Sequence, residues 1–235
     1  MRKQLFAILV LLLPISIHAQ KAHDKKIDVE ALYGASIPIG DFGNKNALST
    51  NPGYAKYGYN FSLGLSYYFY DNLGLMMKYQ SSKYSVDVEN VADTLRKNYP
   101  GSMWNIKSGE YELNSYMGGI IYKIPSESVI FNLYGLLGVS KVDLPEIVYG
   151  GSNSNEEIIY TQKAHTSTSL SFNFGAKFNW YVYKDLYVLG SADLFSTNPK
   201  FDDYGLINDG QAVLRKKLNQ TITTVNLSIG IGISL

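Results

Sequence analysis

The sequence predicts an all-β fold, namely an eight-stranded antiparallel up-and-down transmembrane β-barrel with short turns at one end and long loops at the other. Three observations predict it. Large apolar residues alternate with small or polar residues along about eight segments of roughly ten residues each. Aromatic residues gather near the ends of these segments. Short and long connections alternate along the chain.

The first residues predict a secretory signal peptide. Arg2 and Lys3 precede an apolar run over residues 5–13, and Ala19 is the expected cleavage position. The apolar run is shorter than the roughly 20 residues that a helical membrane span needs, and charged residues follow it at once. The expected divisions of the chain are residues 1–19 as a cleaved signal peptide, 20–26 as a short N-terminal segment and 27–235 as the barrel domain.

The composition excludes several classes of protein. The chain has no cysteine, so an exported protein of this sequence cannot be a domain held by disulfide bonds. Its formal net charge is only +1, which offers no broad electrostatic reason to bind nucleic acid. The 20 Tyr, 10 Phe and 21 Gly favour strands, tight turns and aromatic surfaces.

The strands are predicted from alternation with a period of two. Over residues 59–69 every second residue is large and apolar, and residues 225–235 repeat the pattern with aliphatic side chains between glycine and small polar residues. One face therefore suits lipid, and the other suits a narrow interior. The other predicted strands cover residues 27–37, 73–84, 111–123, 129–140, 167–183 and 186–195.

Aromatic residues at the strand ends favour a membrane barrel over a secreted soluble sandwich, which would also alternate but has no reason to place aromatics there. Two interfacial girdles would explain them. The residues assigned to the girdles are Tyr67, Phe69, Tyr70, Trp180, Tyr181 and Tyr183 at one end, and Tyr57, Tyr59, Tyr84 and Tyr111 at the other.

The connections predict the orientation of the barrel. Three are short, at residues 70–73, 124–128 and 183–186, whereas the connections between them are each roughly 15–25 residues long. A barrel with both termini in the periplasm needs short periplasmic turns and long outer loops in this order. The prolines lie outside the predicted strand interiors, as expected where lipid cannot replace a lost hydrogen bond.

The C-terminus carries a pattern of polar, glycine and apolar positions, and with it the chain resembles the family of small, porin-like outer-membrane β-barrel proteins over residues 27–235. The pattern is similar to the insertion signal that such barrels present to their assembly machinery. The resemblance implies a place in the outer membrane of a Gram-negative bacterium, contact with outer-membrane lipid and lipopolysaccharide, and the barrel assembly machinery as a partner during insertion. The residues of the pattern are Ser228, Gly230, Ile233 and Leu235.

Charged residues of both signs are predicted to point into the barrel, because they alternate with the apolar positions of their strands. The interior of an eight-stranded barrel is only wide enough to be filled by side chains. We therefore expect a structural network of ion pairs, with a proton relay or an ion path as the alternative. The predicted members are Glu30, Lys78, Glu112, Lys177 and Asp193.

His165 and Ser167 are the candidate pair for catalysis, because residues two apart on a strand face the same side and a histidine can act as base for a serine. The pair is similar to the His-x-Ser element of outer-membrane lipid A deacylases, which faces the bilayer. Here the alternation places both side chains on the interior face, and Thr168 stands where those enzymes carry asparagine. A bulge near the start of the strand would reverse this face.

The sequence predicts no metal and no cofactor, since it lacks phosphate-binding and paired-histidine spacings. The favoured interpretation is a non-enzymatic barrel whose outer loops contact envelope glycolipid, a host surface or another envelope protein. The loop segment 95–104, which mixes cations and aromatics, is a candidate contact surface. The alternatives are a lipid A-modifying enzyme built on His165 and Ser167, and a narrow channel or accessory component of an envelope secretion complex.

Overall fold

The computed structural model describes residues 25–46, 52–126, 129–152, 157–208 and 211–235. The predicted signal peptide and most of the segment 20–26 lie outside these ranges. The strands that form the barrel are β1 (Ile27–Ile39), β2 (Ala55–Tyr68), β3 (Leu73–Val86), β5 (Glu110–Pro125), β6 (Val129–Leu144), β9 (His165–Tyr183), β10 (Leu186–Thr197) and β13 (Ile222–Ser234).

These eight strands close into one antiparallel barrel in the order β1-β13-β10-β9-β6-β5-β3-β2. Each strand pairs with its neighbour in the barrel sequence, and β1 pairs with β13 to complete the ring. The predicted eight-stranded up-and-down barrel is therefore confirmed. The end with the short turns is called the periplasmic end below, and the opposite end is called the outer end.

The strands of the barrel are staggered. Residues that face each other on neighbouring strands, traced once around the ring from Asp28, return to β1 at Pro38. Such a stagger requires the strands to tilt by roughly 35–45° from the barrel axis. Side chains from distant positions along the sequence are thereby brought to the same height inside the barrel.

The outer face of the barrel is apolar, as the alternation predicts. On β9, Leu170, Phe172 and Phe174 are exposed, whereas Ser171 and Asn173 between them are buried. A band of exposed apolar side chains is the surface that a bilayer would cover. Its exposed aromatics toward the periplasmic end include Tyr67, Phe69, Tyr122, Phe131 and Trp180.

Tyr84 and Tyr111, predicted as members of the outer girdle, are instead buried inside the barrel mouth. There they contact Phe42 of a short helix, α1 (Gly40–Gly43), in edge-to-face pairs with ring centroids 5.0 and 5.2 Å apart. The Tyr111 hydroxyl also donates to the Gly53 carbonyl at 2.9 Å. The prediction failed because these strands continue beyond the membrane, where their inner face becomes the core of a cap.

The outer loops form a second sheet of five strands, which are β4 (Met103–Ser108), β7 (Ile147–Ser152), β8 (Glu157–Gln162), β11 (Lys200–Asn208) and β12 (Gln211–Asn219). Their order in the sheet is β12-β11-β8-β7-β4. Each of three loops contributes to it: β4 comes from the loop between β3 and β5, and the other strands form hairpins in the next two loops. The sequence pattern did not predict these strands, which are short.

A second helix, α2 (Val88–Asn98), lies beside β4 in the outer region. Its first turn is capped by Asp87, whose side chain accepts a hydrogen bond from the backbone N–H of Asn90. Among the described residues, neither helix has the length and apolar character needed to cross a membrane.

Replacing Phe42 with alanine should destabilise the barrel mouth, because the side chain is fully buried against Tyr84 and Tyr111. We expect the free energy of unfolding to fall by about 3–5 kcal/mol, measured by urea titration in detergent micelles. Tyr99→Ala, which removes an exposed ring, is the matched control and should change it little. Equal losses in the two variants would contradict the role of Phe42 as the centre of the cap.

Candidate functional site

Two buried ion pairs cross the middle of the lumen. The ammonium of Lys78 on β3 lies 2.9 Å from a carboxylate oxygen of Asp193 on β10, and Lys177 on β9 pairs with Glu30 on β1. All four side chains are buried. Because a lone buried charge is costly, the pairing makes it possible for the interior to carry charges of both signs.

Asp193 is the centre of a larger network that sequence reasoning did not detect. Besides Lys78, its carboxylate accepts hydrogen bonds from the Tyr134 hydroxyl at 3.0 Å and from the side-chain amides of Asn173 and Asn226 at 2.8 and 2.7 Å. Four donors from separate strands satisfy one carboxylate, which stabilises its charged form. The alternation placed Asn173 on the inner face, but only the stagger of the strands brings these partners together.

Glu112 lies outside this network, which corrects its predicted position in the lumen. Its carboxylate lies on the outer face of β5, 2.6 Å from the ammonium of Lys83, and the two side chains are 42% and 35% exposed. The two faces of β5 were assigned the wrong way round at this end, because Tyr111 and Leu113 are apolar yet face inward, into the cap. The exposed side chain of Tyr116 shows which positions of β5 face the lipid.

Hydroxyl groups fill the lumen between the ion pairs and the cap. Ser115 and Ser140 share a hydrogen bond of 2.7 Å, and the Ser36 hydroxyl lies 2.6 Å from that of Tyr84. Ser36 also hydrogen-bonds Asn226, so this layer is connected to the network of Asp193. The lumen therefore consists of stacked layers of interacting side chains, with the hydrophobic cap above them.

The residues of the predicted insertion signal lie on β13 and at its end. The Ser228 hydroxyl faces the lumen and donates to Asn60 at 3.1 Å, whereas Ile233 and Leu235 are exposed on the lipid side. At Gly230 an added Cβ would lie 2.1 Å from a backbone oxygen of β1, so the close approach of the two strands requires glycine. Recognition by an assembly machinery remains a prediction.

His165 and Ser167 lie at the outer end of β9, above the lipid-facing band. The register of β9 with β6 runs without a bulge from Trp180 to His165. The side chains of His165 and Ser167 therefore keep the inward direction that the sequence predicts. The Ser167 hydroxyl donates to the backbone carbonyl of Lys200 at 2.7 Å. Within the described ranges, no group of three or more histidine, aspartate and glutamate side chains could hold a metal ion.

The candidate contact segment 95–104 forms an ordered aromatic surface beside the outer sheet. The Tyr99 ring, on a residue that is 59% exposed, lies 6.0 Å from the Trp104 ring. The Trp104 indole N–H donates to the Ser102 hydroxyl at 2.7 Å, and that hydroxyl donates to the Tyr99 carbonyl at 2.6 Å. Trp104 also covers Gly151, where a Cβ would lie 2.7 Å from the ring. The two rings are thus held in place without being buried.

Asp87 links three parts of the outer region. Its buried carboxylate lies 2.6 Å from the ammonium of Lys45 and 3.5 Å from that of Lys56, and it caps α2 through Asn90. Burial alone would raise the pKa of this carboxyl, but the hydrogen bonds from Lys45 and Asn90 outweigh it and hold the pKa below its ordinary value.

The closed barrel, its lipid-facing band and its filled lumen define a small membrane-spanning β-barrel protein. The chain matches the family of outer membrane protein beta-barrel domains over residues 7–232, and it belongs to that family. It is accordingly a multi-pass protein of the outer membrane. A comparison with curated proteins gives no significant match.

Several solved structures are similar to this chain. The attachment invasion locus protein Ail of Yersinia pestis, solved with the heparin analogue sucrose octasulfate, is 14% identical with a TM-score of 0.44, covering 89% of this chain and 99% of its own. Neisserial surface protein A is 13% identical with a TM-score of 0.44, covering 89% and 97%. The outer membrane protease OmpT of Escherichia coli is 12% identical with a TM-score of 0.42, covering 93% and 100%.

Replacing Lys78 with methionine should lower the free energy of unfolding by about 3–5 kcal/mol, because Asp193 would remain buried without its cation. Urea titration in detergent micelles measures the loss. Lys83→Met is the matched control, since it removes the cation of the partly exposed pair on the outer face and should cost far less. The double variant Lys78→Met with Asp193→Asn should recover part of the loss, and losses that simply add would refute the coupling.

Acidification should loosen the first turn of α2. Since the pKa of Asp87 is lowered in the folded protein, its ion pairs and cap contribute stability above the ordinary aspartate pKa and lose it as the pH falls through the lowered value, below about 4. Hydrogen-exchange protection of the Asn90 and Val91 amides should therefore fall in that range. Asp87→Asn should give protection that does not depend on pH, and an acid transition retained in this variant would assign the effect to another group.

Proposed function

We propose that this outer-membrane barrel is a non-enzymatic scaffold that holds its outer sheet as a contact surface for envelope glycolipid, another envelope protein or a host surface. The observation that carries the proposal is the joining of three outer loops into one five-stranded sheet. Loops that pair with one another hold a fixed surface, and ordered loops on a rigid scaffold are where binding residues concentrate.

The filled lumen supports a role on the outside of the barrel. The central charges are paired with one another, and the hydroxyl layer and the Phe42 cap follow above them. An eight-stranded barrel has little interior volume beyond that of its own side chains. A channel is disfavoured by the strand count. It would require the ion pairs, the hydroxyl layer and the cap to move aside and open a path through the lumen.

The outer surface has features that suit a partner. Tyr99, Met103 and Ile159 are exposed apolar residues in and beside the outer sheet. Exposed aromatic side chains are frequent anchors in interfaces because they bury a large area at low cost in conformational entropy.

The lipid-facing band of the barrel would contact membrane lipid. The Lys83 and Glu112 pair lies on the same face at the outer end of the band, within reach of lipopolysaccharide. We further propose that the assembly machinery reads the C-terminal pattern from Ser228 to Leu235.

A lipid A hydrolase built on His165 and Ser167 is less well supported. An enzyme of that kind needs its serine to face the bilayer and to give its proton to the histidine. Here the Ser167 hydroxyl donates to the Lys200 carbonyl, and the exposed neighbours Leu170 and Phe172 occupy the lipid side of the strand.

Photo-crosslinking in living cells tests the proposed surface. With p-benzoylphenylalanine at Tyr99, Met103 or Ile159, we expect adducts with a protein or glycolipid, because these residues are exposed in the outer region. Leu137, equally exposed but within the lipid-facing band, is the matched control and should not give the same adducts.

Two outcomes would overturn the proposal. The first is the absence of specific adducts at all three outer positions. The second is a change in the mass of lipid A that depends on the protein and disappears in His165→Ala, which would establish an enzyme.

A further inference from the structure

The periplasmic end of the lumen differs from the layers above it. It is lined by polar side chains from six different strands, all of them buried. In the register of the barrel, Asp28 lies directly opposite Ser66, and Lys123 lies opposite Asn132. The residues of this periplasmic layer are Asp28, Ser66, Lys123, Asn132, Asn179 and Tyr187.

Most of these side chains carry a polar atom that has no hydrogen-bond partner among the described residues. Asn179 is unpaired at both its amide oxygen and its amide nitrogen. A buried polar group without a partner costs desolvation free energy, and native proteins contain few of them. The other unpaired atoms of the layer are Asp28 Oδ2, Ser66 Oγ, Asn132 Nδ2 and the Tyr187 hydroxyl.

The layer also holds a third pair of opposite charges, which are kept apart. Among the described residues no ion pair joins Asp28 to Lys123, unlike the two central pairs. The Lys123 ammonium lies 3.7 Å from the centroid of the Tyr68 ring, and the Tyr68 hydroxyl donates to the Asn132 side chain at 3.1 Å. The cation–π contact leaves donors of Lys123 available. Asp28 accepts a hydrogen bond from the Ser234 hydroxyl through Oδ1, while its Oδ2 has no hydrogen-bond partner among the described residues.

Water fits this layer better than an ion does. The unpaired atoms include donors, such as Asn132 Nδ2, and acceptors, such as Asp28 Oδ2. A water molecule both donates and accepts, whereas a single anion or cation would satisfy only one kind. Asp28 and Lys123 also balance each other in charge, so the layer does not call for a counter-ion.

We propose that the periplasmic layer encloses a cluster of water molecules that bridges Asp28 to Lys123, and that Tyr68 closes this cluster from the periplasm. Tyr68 is buried, yet it also lines a surface pocket with Lys25, Lys26 and Asp71 at the periplasmic end. Its ring therefore stands between the layer and the periplasmic solution. The water cluster is independent of the function proposed for the outer sheet.

Water contacts measured by NMR test the proposal on the unmodified protein in detergent micelles. We expect nuclear Overhauser contacts between long-lived water and the side-chain amide protons of Asn179 and Asn132. Asn173 is the internal control, because its amide nitrogen donates to Asp193 and its oxygen accepts from Lys78. The absence of water contacts at both Asn179 and Asn132 would overturn the proposal.

Two substitutions give a second measurement. Asn179→Leu should raise the equilibrium constant for unfolding at least tenfold if it displaces bridging water. In a dry layer the same substitution would remove two unpaired atoms and lower that constant.

Tyr68→Ala should speed the hydrogen exchange of the Asn179 side-chain amide at least tenfold. Tyr70→Ala, which removes an exposed ring of the same pocket, should leave that exchange unchanged. If Asn179→Leu stabilises the protein, the water cluster is contradicted. If amide exchange is equally fast in the two tyrosine variants, closure of the cluster by Tyr68 is contradicted.

Discussion

The first and last strands of the barrel pair along nearly their whole length, from Asp28 opposite Ser234 to Ile39 opposite Thr223. In a bilayer the backbone polar groups of a strand have no water to bind, so this pairing leaves neither β1 nor β13 with an open edge. The backbone of Ile27 and Leu235 completes the seam with two further hydrogen bonds. Every other feature depends on this closure, because it creates an inside that must then be filled.

The interior is filled in layers that suit their surroundings. Ion pairs occupy the middle, where a dry, low-dielectric environment makes an isolated charge most costly. Hydroxyls and then aromatic rings follow toward the outer end, where Phe42 lies beneath the loops. Above the cap, the same strands and their hairpins leave the membrane and provide the base of the outer sheet. The sheet therefore inherits its position from the barrel.

Long strands within the membrane were predictable from their own residues. On β9, Leu170, Phe172 and Phe174 mark the lipid face without ambiguity, so the inward parity of Lys177 and Ser167 followed directly. On β5 the same reasoning failed for Glu112, because Tyr111 and Leu113 are apolar on the inner face once the strand reaches the cap. The partners of Asp193 could not be predicted either, since they meet only through the stagger of the whole ring. The outer strands, at about six residues each in β4 and β7, carry too short a pattern to be recognised alone.

The central ion pairs also have a mechanical consequence. β3 and β10 stand opposite each other in the ring, and Lys78 and Asp193 connect them across the full width of the barrel. Lys177 and Glu30 connect β9 to β1 along a second chord. A tube braced along two chords resists flattening. The two ion pairs should therefore help the barrel to keep its cross-section under lateral pressure from the bilayer. The outer sheet therefore stands on a barrel whose cross-section is held from within.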